Sequence, residues 1–309
     1  MSSDLSANSV AAAGSPKIDD ILRVTAVHAT GAASTNPAIR AAGPAADEVF
    51  VGAPRDYGPL RIYGGHFLGQ ALAAAFRTVP EPRLAHSLHA YFLRAGIPDE
   101  PIEYRVEHLR DGGSYVTRAV RAVQNGQTAF FLTASFKDPE AGDHHQPHPP
   151  EVPDAVHSAA LRNAAGRSRP PLPFTLGTGV ELEILDDWSP QNPRRDDTGI
   201  RLWMRVPVGA VGDARLQQCA LAYLSDSTLL FNALRRHGQP FATHRTTSLD
   251  HALWFHQSPQ CQDWLLYDQS GPAAADGRGI NQGFIYAADG RLLATAVQEG
   301  MMRRAAAPG

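Results

Sequence analysis

The chain has 309 residues, 43% of them hydrophobic and 19% charged, with a formal net charge of −3. That is the composition of a globular protein with sizeable cores, long enough for two ordinary domains or for one built from two similar halves. The charge provides no electrostatic footprint for nucleic acid, and no apolar stretch reaches the ~20 residues of a membrane span.

The two cysteines, Cys219 and Cys261, are too far apart in sequence for a metal or redox motif, so a reducing compartment is the simplest reading. The start, "MSSDLSANSVAAAGSP", has neither the basic region nor the apolar core of a secretory signal, and "RRAAAPG" is not a peroxisomal address. The expected location is the cytoplasm.

In chain order, residues 1–45 read as a partly disordered tail rich in Ala, Ser and Gly, with one short helix candidate, "KIDDILRV". Residues 46–137 form a first unit. Its helix is "YGGHFLGQALAAAFRTV", opened by Gly64-Gly65, and "HSLHAYFLR" follows as a strand. Three further strands turn at Asp111-Gly112 and Asn125-Gly126, and Asn-Gly between alternating apolar runs is a strong hairpin signal.

Residues 138–172 are expected to be a linker, because the Pro density of "DPEAGDHHQPHPPEVPD" excludes regular structure there. Its histidines (His144, His145, His148, His157) are read as solvated rather than metal-ligating. Residues 173–305 form a second unit. A long helix over 214–236 ends at Gly238, followed by the strands "TSLDHALWFHQ" and "WLLYDQS" and a hairpin turning at Asp289-Gly290.

A helix followed by antiparallel strands, twice over, is an internal repeat of α+β units. That layout is a tandem, or double, hotdog, each half a long helix packed on an antiparallel sheet. Laying the two helices over one another puts Ala74 opposite Asp226, and aligning the last strands puts Ala134 opposite Gln298. Ser87 and Ser248 correspond. The second half thus carries an acid and an amide where the first carries alanines. Strand alternation puts Ser248, Asp250, Ala252 and Trp254 on one face and turns His251 away, so Asp250 and His251 are read as structural.

Several stretches together carry a family resemblance: "GGHFLGQALAAAFRTVPEPRLAHSLHAYFLRAG", "LAYLSDSTLL", "SLDHALWFH" and "LLATAVQEGMMR". They resemble the acyl-CoA thioesterase II family, from about residue 48 to 304 with both halves in order. The resemblance implies hydrolysis of fatty acyl-CoA of medium to long chain, no cofactor, and a homo-oligomer without nucleic-acid partners. The catalytic set it implies falls on Asp226, Ser248 and Gln298. Ser248 matches the branch resembling the peroxisomal enzymes, where the bacterial one carries Thr, and His66 departs from the more usual Gln. Water activated by Asp226 and direct attack by Asp226 are both open.

Other classes fit less well. No Gly-x-Ser-x-Gly elbow is present, the Asp-x-Asn-Pro-x-His string of a hotdog hydratase is missing, and "GRGINQG" misses the dinucleotide spacing and reads as a hairpin loop. A non-catalytic acyl-CoA-binding hotdog is the remaining alternative.

Overall fold

Alternation builds the strands. Strand β6 (Gln127–Lys137) buries Phe130, Leu132, Ala134 and Phe136 on one face. It pairs with β5 (Tyr115–Gln124) through a tight turn in which Asn125 and Gly126 both have positive φ, 48° and 72°. These are type I′ conformations, which match the twist of the flanking strands. The structure, a computed structural model, describes residues 17–27, 48–58, 62–166, 176, 179–185, 199–209, 212–237 and 244–305. Most of the expected tail, part of the linker, and Gly238 lie outside these.

The first unit runs β1 (Val24–Ala26), β2 (Glu48–Gly52), a helix over Gly64–Phe76, β3 (Leu84–Phe92), β4 (Ile102–Asp111), β5 and β6. The second runs β7 (Glu181–Ile184), β8 (Arg201–Arg205), a helix over Ala214–Ser225, β9 (His244–Ser248), β10 (Asp250–Phe255), β11 (Leu265–Ala275), β12 (Arg278–Ala287) and β13 (Leu292–Arg304). In space the strands follow the order β1-β2-β4-β5-β6-β3 and then β10-β13-β12-β11-β8-β7, with β9 on β13. The second list is the first repeated in mirror order, strand for strand. The two copies join through antiparallel β3 and β10, Ala252 opposite His89. This is a tandem hotdog of α+β class, with one continuous sheet and both long helices packed in one core.

We number the helices α1 (Ile18–Ile21), α2 (Gly64–Phe76), α3 (Ala155–Ala164), α4 (Ala214–Ser225) and α5 (Phe231–Arg235). Two local expectations hold with added detail, and two are corrected. "KIDDILRV" is one helical turn followed by strand β1. The linker holds α3, whose first turn Asp154 caps by accepting from the His157 N–H at 2.8 Å. "GRGINQG" opens strand β12, the turn being Asp276-Gly277 just before it. The helix expected over 214–236 is broken after Ser225 into α4 and α5. Ser225-Asp226-Ser227-Thr228 is a run of short polar side chains that compete for backbone partners, which is why the helix stops there.

The two long helices lie antiparallel. Arg215 at the start of α4 donates to the carbonyls of Phe76, Val79 and Pro80 past the end of α2. Their closest approach depends on two glycines four residues apart. A Cβ on Gly65 would stand 2.2 Å from the Tyr223 carbonyl oxygen, and one on Gly69 would stand 3.1 Å from that of Cys219. The end of α4 is thereby pressed against the start of α2.

Candidate active site

The last turn of α4 leaves carbonyl groups without intrahelical donors, and hydroxyls supply them. Ser225 Oγ donates to Ala222 O at 2.9 Å, Tyr63 to Tyr223 O at 2.8 Å, and Tyr267 to Ser225 O at 2.8 Å. Asp226 follows as the C-cap residue, with its backbone still helical. Helix α2 has the complementary deficit. Its N-cap position is Tyr63, which makes no side-chain capping bond. The Gly65 N–H instead donates to the Asp226 carboxylate, and a Cβ on Gly64 would meet Asp226 Oδ2 at 2.6 Å. An acid from the second half therefore caps a helix of the first, where the positive end of the helix dipole favours it.

Gln298 completes the surround. It lies on the inner face of β13 with Ala294 and Ala296, as alternation predicts, and its Nε2 donates to Asp226 Oδ1 at 2.5 Å. Burial raises the Asp226 carboxyl from 3.8 to about 7, against the opposing pull of the Gln298 and Gly65 donors. Desolvation prevails because both partners are neutral.

Asp226 opens on a cavity of about 390 Å³. Ser227 and Ser248 are its neighbouring polar walls, and Ile62, Phe67, Phe92, Leu230 and Phe231 form apolar ones, drawn from both halves. Asp226 and Ser248 thus share one cavity, and Gln298 holds the carboxylate from behind. His66 lies elsewhere, buried between Tyr57 Oη at 2.9 Å and Ala53 O at 3.1 Å, with its pKa lowered to about 4 by burial. His66 is thus held by packing and hydrogen bonds away from the cavity.

His251 was turned away from the pocket by strand alternation, and here the structure differs. Ala252 pairs with Val297 but Ser248 with Gly300, so one extra residue sits between β10 and β9. This bulge at Leu249 breaks the alternation and brings Ser248 and His251 to the same side. His251 is buried, with Nδ1 3.2 Å from Gln298 Nε2 and 3.9 Å from Asp226 Oδ1. Its Nε2 lies 2.9 Å from Ser225 Oγ. Asp250 is structural, as expected, and accepts from the Glu299 N–H at 2.6 Å beside the bulge.

Sequence reasoning missed three participants: Gly65, Ser225 and His251. The Gly65-x-x-x-Gly69 spacing was the available signal for the first, since two small residues on one helix face mark a close helix approach. The hydroxyl in "LSDST" was the signal for the second. For His251 the sequence carries no sign of the bulge.

Comparison with known proteins agrees with this architecture. The sequence profile described as acyl-CoA thioesterase matches residues 197–301, and that described as acyl-CoA thioesterase N-terminal domain matches residues 53–137. Acyl-CoA thioesterase 2 of Haemophilus influenzae is 34% identical over 265 residues, which is 83% of this chain and 93% of that protein. Human acyl-coenzyme A thioesterase 8 is 35% identical, with 79% and 81% of the two chains covered. The crystal structure of an acyl-CoA thioesterase II from Mycobacterium marinum superposes with a TM-score of 0.71 at 32% identity, covering 94% of this chain and 99% of that one.

Proposed function

We infer that this chain, which belongs to the acyl-CoA thioesterase II family, hydrolyses acyl-CoA thioesters to the free acid and CoA. The observation that carries the assignment of roles is the Asp226 carboxylate: buried, raised to about 7, and exposed to an apolar cavity. A base with that pKa is half ionised at neutral pH and is matched to proton abstraction there.

Asp226 is the general base. A water molecule attacks the thioester carbonyl carbon, and its proton passes to the Asp226 carboxylate as the C–O bond forms. The tetrahedral intermediate then collapses, the C–S bond breaks, and CoA leaves as a thiolate that takes up the proton from Asp226 or from solvent. Thiols have a pKa of about 8.5, so this departure needs little assistance, and activating the water is the harder step. We assign the holding of that water to Ser248, which shares the cavity with the acid, and to Gln298 Oε1, which lies behind the carboxylate and has no partner among the described residues. Gly64 is at the start of α2 and on the cavity wall, and its helix N-terminal N–H is the donor we assign to the developing oxyanion.

Water activation is favoured over direct attack by Asp226. Oδ1 is already engaged by Gln298 and the carboxylate also accepts from Gly65, which lowers its nucleophilicity. The apolar walls suit a medium to long acyl chain. Two free, buried cysteines fit a cytoplasmic setting.

Release of free thiol from palmitoyl-CoA tests the reading. The wild type should turn over, and Asp226→Asn should lose at least about 10²-fold. Saturable binding of palmitoyl-CoA without thiol release would favour the non-catalytic alternative.

A further inference from the structure

Four buried side chains form a hydrogen-bonded series ending on Asp226, and counting hydrogens orients every member. Ser225 spends its hydroxyl hydrogen on Ala222 O, so its Oγ can only accept from His251 Nε2 at 2.9 Å. The imidazole hydrogen is therefore on Nε2, and Nδ1 presents a lone pair. That lone pair accepts one Nε2–H of Gln298 at 3.2 Å, and the other goes to Asp226 Oδ1 at 2.5 Å. Turning the amide over would set its oxygen against a carboxylate and an imidazole lone pair, replacing two attractive contacts with two repulsive ones.

We propose that the Ser225–His251 pair is a positioning device for the hydrolysis: it locks the Gln298 amide with nitrogen toward Asp226, leaving Oε1 as the free acceptor for the reacting water. The proposal rests on the roles of Asp226 and Gln298 inferred above. Three observations support it. Ser225, His251 and Gln298 are at most 1% exposed, where polar groups are costly unless their orientation is satisfied. Among the described residues, Gln298 Oε1 is the one atom of this series left without a partner.

The internal repeat provides the third. Under the alignment that sets Ala74 opposite Asp226, Ser225 faces Ala73; with Ala134 opposite Gln298, the registers set His251, one step beyond the Ala252–Val297 pair, opposite Leu88, which pairs with Ala134. All four polar residues of the series thus stand where the other half has an apolar one: Ala73, Ala74, Leu88 and Ala134. A packing role alone would not single out these four together. Burial also lowers His251 to about 3, so it stays neutral near neutral pH; an imidazolium would donate from Nδ1 and oppose this amide orientation.

The test is a double-mutant cycle between His251→Leu and Gln298→Ala, read as kcat and KM for palmitoyl-CoA and as a pH profile. His251→Leu should lower kcat between about 10- and 100-fold, as loss of a reactant's orientation does, with KM changed less than about twofold. In the Gln298→Ala background it should lower kcat no further. The acid limb of the kcat/KM profile should move upward in both single variants, because the carboxylate loses a donor. His251→Asn, whose Oδ1 stands close to where Nδ1 stood, should recover at least about tenfold over Leu on the same orientation argument. If His251→Leu does not fold, the cycle is run with Ser225→Ala, expected to cost about 3- to 10-fold in the wild-type background alone. Multiplicative losses, or Asn no better than Leu, would overturn the proposal while leaving Gln298 in place. Wild-type turnover in Gln298→Ala would instead sink the role given to Gln298 itself.

Discussion

Replacing Asp226 by Asn should make this protein less active and more stable, and the stability gain should depend on pH. The native carboxyl titrates near 7 and the unfolded one near 3.8, so between these values the native state holds a proton that the unfolded state has released. Wild-type stability therefore falls as pH rises through that window and levels off above it. With those two values, linkage sets the cost of the buried carboxylate at about 4 kcal/mol at pH 8 and about 2 kcal/mol at pH 5. Asparagine keeps an acceptor for Gln298 but leaves the Gly65 N–H or a neighbour poorly paired, an offset of about 1–3 kcal/mol at every pH. The net gain should be about 2 kcal/mol at pH 8 and near zero at pH 5. At roughly 2 °C per kcal/mol for a chain of this size, Tm should rise by about 4 °C at pH 8. Paired thermal melts at the two pH values isolate the carboxylate term, because the offset cancels in their difference of about 2 kcal/mol. A gain equal at both pH values would refute the raised pKa, and with it the argument that burial tunes Asp226 for base catalysis.

Four other outcomes follow from the geometry. The kcat/KM of the wild type should rise with pH along an acid limb near 7, and a limb near the ordinary carboxylate value would separate Asp226 from the titration. Gln298→Glu sets a second carboxylate against Asp226, so one of the two is raised further and the limb should move above 7; an unmoved profile would show that the side chains do not share a site. Gly65→Ala drives a Cβ to 2.2 Å from a backbone carbonyl and should cost about 3 kcal/mol in denaturant melts, whereas Gly64→Ala meets mainly the movable Asp226 Oδ2 and Phe92 ring and should impair kcat more than stability. Ser248→Ala should lower turnover about tenfold or more through lost orientation, while Ser87→Ala, outside the cavity's walls, should change it less than twofold; equal losses in folded protein would mean that both halves are catalytic.

Much of this architecture is local chemistry and could be read without coordinates. Asn125-Gly126 supplies a two-residue turn with both residues at positive φ, and the alternation of Phe130, Leu132, Ala134 and Phe136 assigns the inner face of its strand. The duplication was legible because the same order of helix and strands recurs. The alanines opposite Asp226 and Gln298 marked where the halves had diverged. Tertiary structure decided what depended on residues distant in sequence or on irregular backbone. The Leu249 bulge adds one residue and reverses the alternation, so a rule of period two assigned His251 to the wrong side. The end of α4 at Ser225 was set by hydroxyls from Tyr63 and Tyr267, about 160 and 40 residues away, as much as by the local polar run. The uncapped start of α2 is visible as a missing Ser, Thr, Asp or Asn, but its partner, Asp226, follows only from two glycines that let helices of different halves touch. Periodicity fixes which side of an element faces inward, whereas a carboxylate's pKa depends on what lies across the interface, and here that is the other half of the chain.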